Sequence, residues 1–356
     1  MPDVLLFGAT GYTGRLTAGA LARRNISFAI AGRNRERLEA LAARTGDPEV
    51  RTAEAGDTRG LVRALEGVKV LITCVGPFDE LGETAVEAAL AARVHYIDSS
   101  GEGTFIQRLI DRDAEARSAG IAMAPAMGFD EVPGDVAADL ACDGFEAADL
   151  CITYALPRTP SLGTLRSSLG IMVSEGPWIE DGRTRMVRAG EEKRWSPMPP
   201  PLGPKPAAAF PLALGHLAPR HLDLRNLQLY VTTGTVEGVA MRFAIPALKK
   251  ALSSPIRPWI DKAVARAPEG PTATQRARKW TILAEARQGG SWRNVALQGS
   301  DVYGLTAELL ATGAGRMASD GYDVTGVVAP VQAAGRELLV DELKKADVSF
   351  ETYAPT

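Results

Sequence analysis

Gly8, Gly11 and Gly14, spaced three apart, are the residues of this chain most clearly arranged for chemistry on a charged ligand. An apolar run, Val4-Leu5-Leu6-Phe7, reads straight into them, and an amphipathic helical pattern follows from Leu16 to Arg23. A buried strand that turns sharply into a helix gathers the backbone N–H groups of Thr10, Gly11, Tyr12 and Thr13 at the helix's positive end. That concentration of donors suits a pyrophosphate, and residues without a Cβ let the phosphate come close. The alternative is a tight strand-to-helix turn with no ligand. Placement after a strand and before a helix is the context that a dinucleotide site requires. The spacing is GxxGxxG, not GxGxxG, so it does not choose a cofactor by itself.

The end of the second strand makes that choice. Folds selective for NAD place an acidic side chain there, to accept from the ribose 2′-OH. Here the place is taken by Gly32-Arg33-Asn34, and no acid comes before Glu36. Arg33 offers a planar cation suited to a 2′-phosphate, with Arg35 or Arg37 in support, so NADP is expected in preference to NAD. The alternative is that Arg33 stacks on adenine and accepts either cofactor. Asp57 either accepts from the adenine amino group or only caps the helix after it. Val75-Gly76-Pro77-Phe78 leaves the fourth strand where the nicotinamide ribose should lie, and a glycine and a proline there fix the backbone close to the ligand.

Hydride chemistry belongs to the cofactor, and the protein must place the acceptor carbon and manage the proton. The polar groups expected near the sheet's C-terminal edge are Tyr96, Asp98, Ser99, Ser100, Glu102 and Asp130. Tyr96, Asp98, Glu102 and Asp130 are the candidate catalytic residues. Asp98 and Glu102 equally fit a structural role, capping the next helix or tying domains together, and Tyr96 can face either side of its strand. There is no Tyr-x-x-x-Lys pair, since Tyr12 is followed by Leu16 and Tyr96 by Ser100. Cys142 and Cys151 lack the setting of a nucleophile, and Cys74, inside Val70–Val75, reads as a small buried core residue. His95, His216 and His221 lack metal-ligand spacing, and no metal site is expected.

Positioning these groups needs alternating strands and helices, and the first 125 residues supply them. Strands are expected at Val4–Phe7, Ser27–Ala31, Val50–Ala53, Val68–Cys74, Val94–Asp98 and Ile121–Ala124, with helices between them. Six such strands make a doubly wound, parallel Rossmann sheet, whose ligands bind beyond the strands' C-terminal ends. After Pro125 the pattern changes. The turn-rich Met127–Asp135 leads into a helix over Val136–Cys142, and strands follow at Leu150–Ala155, Leu227–Thr233, Lys279–Arg287 and Trp292–Gly299. The last two flank Gly289-Gly290-Ser291, a hairpin signal. The fold class expected is therefore α/β, a Rossmann domain plus a second α+β domain with a largely antiparallel sheet. Boundaries are set at 1–128, 129–302 and 303–356. Helices are expected again at Tyr303–Ala318 and Val331–Lys345, with a closing strand at Val348–Tyr353.

Seven prolines between Ser196 and Pro211 argue against a helix or central strand there. The stretch reads as a surface excursion or, alternatively, a lid, and Ile171, Met172, Val173, Trp178 and Phe210 are apolar lid candidates. Residues 236–260 are moderately apolar, but charges and prolines interrupt them short of the ~18–20 residues of a membrane span. They read as an interdomain or oligomer surface, with a homodimer in view, or as a contact with lipid, and hold a short helical pattern at Ala247–Ser253. A formal charge of −3 gives no general field for nucleic acid. Three cysteines without close pairing and a cofactor strand beginning beside the first residue point to the reducing cytoplasm, with no leader.

Taken together, Gly8–Gly14, Gly32-Arg33-Asn34, Val75–Phe78, Tyr96–Glu102 and Gly128–Asp135 resemble the saccharopine dehydrogenase-like oxidoreductases. The nearest branch is the bacterial one that includes the mycobacterial trans-acting enoyl reductases. Gly270-Pro271-Thr272, Asp301–Thr306 and Gly326–Pro330 through Phe350 carry the resemblance into the second half. It implies that the last ~50 residues pack back on the dinucleotide domain. True saccharopine dehydrogenases hold several substrate carboxylates with cations. Here Arg158, Arg166, Arg183, Arg185 and Arg188 are scattered among acids, so the expected activity is NADPH-dependent reduction of a C=C or related group in a small hydrophobic or carrier-bound substrate. The rivals are an amino-acid or imine dehydrogenase and a non-catalytic NADP-binding or lipid-associated protein.

Overall fold

The computed structural model describes residues 1–157, 161–234, 245, 247–248, 250–264, 266 and 268–353. They form two compact units, Met1–Val132 with Val302–Leu343, and Pro133–Asp301 with Lys344–Thr356.

The first unit is a seven-stranded parallel sheet. Its strands are β1 (Val4–Phe7), β2 (Phe28–Gly32), β3 (Glu49–Thr52), β4 (Val70–Thr73), β5 (His95–Asp98), β6 (Ala122–Ala124) and, much later in the chain, β15 (Gly326–Val327). The order is β15-β6-β5-β4-β1-β2-β3. Val4 of β1 stands opposite Phe28 on one side and Val70 on the other. Every residue of β1, β2 and β4 is buried, as expected of strands covered by helices on both faces. The chain leaves β1 for β2 on one side and returns through β4 on the other, so the strand order reverses between β1 and β4. The crevice at their C-terminal ends is where such sheets bind ligands. The seventh strand, of two residues, is too short to carry a periodic signal in the sequence, and its pairing with β6 makes it a strand.

Local chemistry sets the helix starts. Asp57 accepts from the Gly60 amide at 2.8 Å and caps the helix Thr58–Ala64. Asn34 accepts from the Arg37 amide at 2.9 Å and caps Arg35–Ala42. The long helix Val302–Met317 packs against Tyr12–Arg23, and Glu308 on it takes Arg23 at 2.5 Å and Arg24 at 2.8 Å. The helical pattern over Val331–Lys345 is two helices, Pro330–Ala334 and Arg336–Lys345, divided at Gly335, a poor helix former.

The second unit is built on a mixed sheet. Its strands are β7 (Ala148–Ala155), β8 (Glu175–Glu180), β9 (Arg183–Arg188), β10 (Lys193–Ser196), β11 (Lys205–Ala209), β12 (Leu224–Thr232), β13 (Trp280–Gln288), β14 (Ser291–Gly299) and β16 (Ser349–Tyr353). They run in the order β10-β11-β12-β7-β13-β14-β16, with β8 against β12 and β9. The pairings are antiparallel except β12 with β7. Gln288 stands opposite Ser291, so Gly289-Gly290 is the two-residue hairpin turn its sequence signals.

Three differences from the sequence reading appear here. The proline-rich stretch contains β11, an interior strand whose Ala207, Ala208 and Ala209 are buried. It is tolerated because β12 pairs only from Ala207 onward, beyond Pro206, which has no N–H to give. Trp178 is a core side chain of β8, buried against Tyr230 at a ring separation of 5.1 Å, and so is not part of a lid. The chain's end divides: 302–343 goes with the first unit, whereas β16 pairs with β14 and carries 344–356 into the second. Arg158 lies outside the described residues, as do residues 236–244, 246 and 249 of the 236–260 segment and its helical pattern.

Candidate active site

The three glycines at the head of the first unit do three different jobs. Gly8 has φ +81°, a left-handed conformation, and a Cβ there would stand 2.7 Å from Val75 Cγ2. Gly14 is a packing glycine, because its Cβ would meet Gly8 O at 2.3 Å and Ala9 Cα at 2.8 Å. Gly11 differs from both. Its nearest neighbour would be Gly8 O at 3.4 Å, an ordinary contact, so its missing side chain leaves open space in front of the helix. Gly11 is the N-cap of Tyr12–Arg23 with no side-chain cap hydrogen bond, so the open space lies at the positive end of that helix. Gly8 and Ala9 donate to Ala31 O at 3.0 and 3.3 Å, fixing this turn beside the end of β2. Thr10 O is held by Arg15 at 2.7 Å. Tyr12 stands edge-on to Tyr303, with ring centroids 5.2 Å apart.

Arg33 follows β2 and is exposed, and among the described residues it makes no hydrogen bond or ion pair. Its neighbours are engaged: Arg35 with Glu39 at 2.8 Å, and Asn34 with the helix it caps. Arg33 lines a groove of about 880 Å³ together with Thr52, Asp57 and Arg63. Asp57 faces Arg63 at 4.0 Å and keeps one oxygen on Gly60. Asp57 thus caps its helix, Asn34 does the same for the helix that starts at the next residue, and Arg33 is left over as a cation. These residues fit an adenosine end bearing a phosphate.

The loop after β4 is held from below. Glu102 accepts from the Phe78 amide at 3.1 Å and from the Gly101 amide at 3.0 Å, and Phe78 packs on Phe105 at 5.6 Å. Gly76 is exposed, and Val75 and Pro77 are half-buried, so this fixed backbone faces out at the C-terminal end of β4.

The four candidate catalytic side chains are not equivalent. Tyr96 and Asp98 are wholly buried. The Tyr96 hydroxyl donates to Asp98 Oδ2 at 2.6 Å, while Asp98 Oδ1 accepts from the Ser100 amide, the Ser100 hydroxyl and the Ala126 amide at 2.7–2.8 Å. Burial pushes the Asp98 carboxyl up and its hydrogen bonds pull it back, whereas burial and the Asp98 charge push the Tyr96 phenol well up. This pair ties the end of β5 to the segment after β6, and Glu102 ties the β4 loop. Their polar atoms are spent on backbone and on one another. These hydrogen bonds fit the structural alternative for Asp98 and Glu102, and they enclose Tyr96 with Asp98. Tyr96→Phe should cost about 1–2 kcal/mol in denaturant unfolding and leave the rate of NADPH consumption unchanged, the signature of scaffolding. Loss of turnover in a fully folded Tyr96→Phe protein would restore it as a proton relay.

Asp130 is the exception. Its side chain reaches solvent, yet it lies among enough protein that desolvation, and after it the Glu102 charge, raises its carboxyl to about 6. Thr306 was not read as a site residue in the sequence, although its motif Asp301–Thr306 was noticed. Its hydroxyl accepts from the Phe129 amide at 3.0 Å and donates to Val302 O at 2.8 Å, which fixes the chain next to Asp130. Burial pushes the thiols of Cys74, Cys142 and Cys151 up to about 12, so none is a ready nucleophile. Among the described residues, no group of three or more His, Cys, Asp or Glu could hold a metal ion.

The fold and the glycine turn define a dinucleotide-binding Rossmann unit of the oxidoreductase kind. Residues 4–123 match the family described as saccharopine dehydrogenase NADP binding domain. A trans-acting enoyl reductase of Mycobacterium ulcerans is 34% identical over 141 residues, 38% of this chain and 34% of its own length. A lipid droplet localized protein of Caenorhabditis elegans is 31% identical over 147 residues, again 38% and 34% of the two chains. The chain thus spans about a third of the length of the curated relatives it matches. Apo saccharopine dehydrogenase (L-Glu forming) from Saccharomyces cerevisiae has the same fold across the whole of both chains, with a TM-score of 0.67 at 14% identity. The resemblance to saccharopine dehydrogenase-like proteins, trans-acting enoyl reductase branch, stands on these findings together.

Proposed function

We propose that this chain is an NADPH-dependent reductase of a C=C (enoyl-type) or related unsaturated group in a hydrophobic metabolite, free or carried on a larger molecule, working in the cytoplasm. The observation that carries the cofactor choice is Arg33, a cation without a partner among the described residues, standing where an NAD-selective fold has an acid. NADPH, when bound, supplies the hydride. The Gly11 turn would hold its pyrophosphate, Arg33 would pair with the 2′-phosphate, and Val75–Phe78 would back the ribose. Asp130 gives a proton to the carbon left with the electron pair, so that one hydride and one proton add across the double bond.

Two of the second unit's arginines support an apolar acceptor over a saccharopine-like one. Arg185 is taken by Glu180, Glu191 and Glu192, and Arg188 by Glu175 and Glu191. Cations already neutralised in this way offer little to a substrate with several carboxylates. NADPH consumption with a long-chain enoyl thioester, and none with saccharopine or an imino acid, is the expected result; the reverse preference would replace the enoyl reading with the dehydrogenase one. Arg33→Ala is expected to weaken NADPH binding by roughly ten- to a hundred-fold, the worth of ~1.5–3 kcal/mol in a charge-assisted contact, and to leave NADH nearly unchanged. Titration of both cofactors by nicotinamide fluorescence decides it, and equal weakening of the two would reduce Arg33 to a stacking platform.

A further inference from the structure

Among the described residues Trp259 is the most open tryptophan, with Trp195, on β10, next at 66% exposed. Trp259 is 76% exposed on the helix Arg257–Val264, and Ile256, just before that helix, is 53% exposed. Lys250, Arg257, Lys262 and Arg266 are exposed around them, and Asp261 is the single acid between residues 250 and 266. This stretch is therefore strongly basic in a chain whose formal charge is −3. The helix packs against Leu162–Val173, which ends in the half-buried Ile171, Met172 and Val173. Among the described residues no helix is long and apolar enough to cross a membrane.

We propose that Ile256 and the helix Arg257–Val264 dock this chain on an anionic phospholipid surface. An indole with an apolar body and one N–H donor is at home at the headgroup level, where Ile256 can reach the acyl boundary. The basic residues around it supply the attraction to anionic headgroups that a short apolar contact needs. The same charges argue against a second copy of this chain as the occupant. A two-fold contact through this patch would set the bases against themselves. The proposal does not depend on the reaction, because it uses no residue assigned to the cofactor or to proton transfer.

Flotation of the full chain with vesicles of phosphatidylglycerol and phosphatidylcholine, against phosphatidylcholine alone, is the test. Binding is expected to the anionic vesicles only and to be reversed by about 0.5 M salt, which screens such attraction. Trp259→Ser should weaken it, and Lys250→Glu with Lys262→Glu should weaken it by roughly thirty-fold or more. NADPH affinity of each variant should stay at the wild-type value, which reports folding and keeps this outcome separate from the assigned function. Absence of flotation, flotation indifferent to these changes, or a concentration-dependent dimer that Trp259→Ser abolishes would each overturn the proposal.

Discussion

Gly11→Val is expected to abolish cofactor binding, a loss of roughly a hundred-fold or more in affinity, while the protein stays folded. The separation of the two effects follows from where a side chain would go. At position 11 a Cβ meets nothing closer than Gly8 O at 3.4 Å, so the branched side chain projects into the open space before the helix Tyr12–Arg23. That is the space assigned to the pyrophosphate. Gly14→Val makes the contrast. There the first added carbon meets backbone atoms of Gly8 and Ala9 at 2.3–2.9 Å, and backbone of a buried strand end cannot step aside. Overpacking of that kind costs about 1–3 kcal/mol or more, so Gly14→Val is expected to lower Tm clearly. Calorimetric titration with NADPH beside thermal unfolding reads both. Near wild-type affinity in Gly11→Val would remove the assigned site, and equal loss of stability in both variants would mean that Gly11 is also a packing glycine.

Asp130→Asn is expected to lower kcat by roughly 10²–10⁴ with little change in NADPH affinity, as loss of a general acid does. The pH dependence gives the sharper reading. The carboxyl is raised to about 6, so its proton is present below that value and is lost as pH rises through it. If Asp130 delivers the proton, the wild-type chemical step slows as pH rises through about 6, and that limb disappears in Asp130→Asn. A variant that keeps the wild-type pH profile would show that the proton comes from elsewhere. Tyr96 and Asp98 are poor substitutes, being enclosed and already committed to each other.

Local backbone chemistry explains why so much of the first unit was legible. A glycine triplet, the helix cap at Asp57 and the apolar runs that hold β1 and β4 each act over a few neighbouring residues, and each appears where the sequence places it, whereas the cap at Asn34 is seen only in the structure. The hairpin at Gly289-Gly290 is legible for the same reason. The antiparallel character of the second sheet was legible as well, but the parallel pairing of β12 with β7 was not, since residues 76 or 77 positions apart meet there.

What the sequence by itself determined is the dinucleotide half of this protein: six strands of its parallel sheet, the glycine turn at the head of the first helix, and the cation that replaces an acid after β2. The tertiary structure alone decided which polar side chains are still free to act. Tyr96, Asp98, Glu102 and Asp130 are all acidic or phenolic groups near the ends of strands, alike in sequence. Three are consumed by Ser100, Ala126, Phe78 and one another, and one reaches solvent. The same holds for Thr306, which finds Phe129 across 177 positions of chain, and for β11, which is a strand despite its proline because its partner's pairing starts one residue later. A buried polar group must be satisfied by whatever the fold brings beside it, and that neighbour is set by long-range packing, which no local pattern encodes.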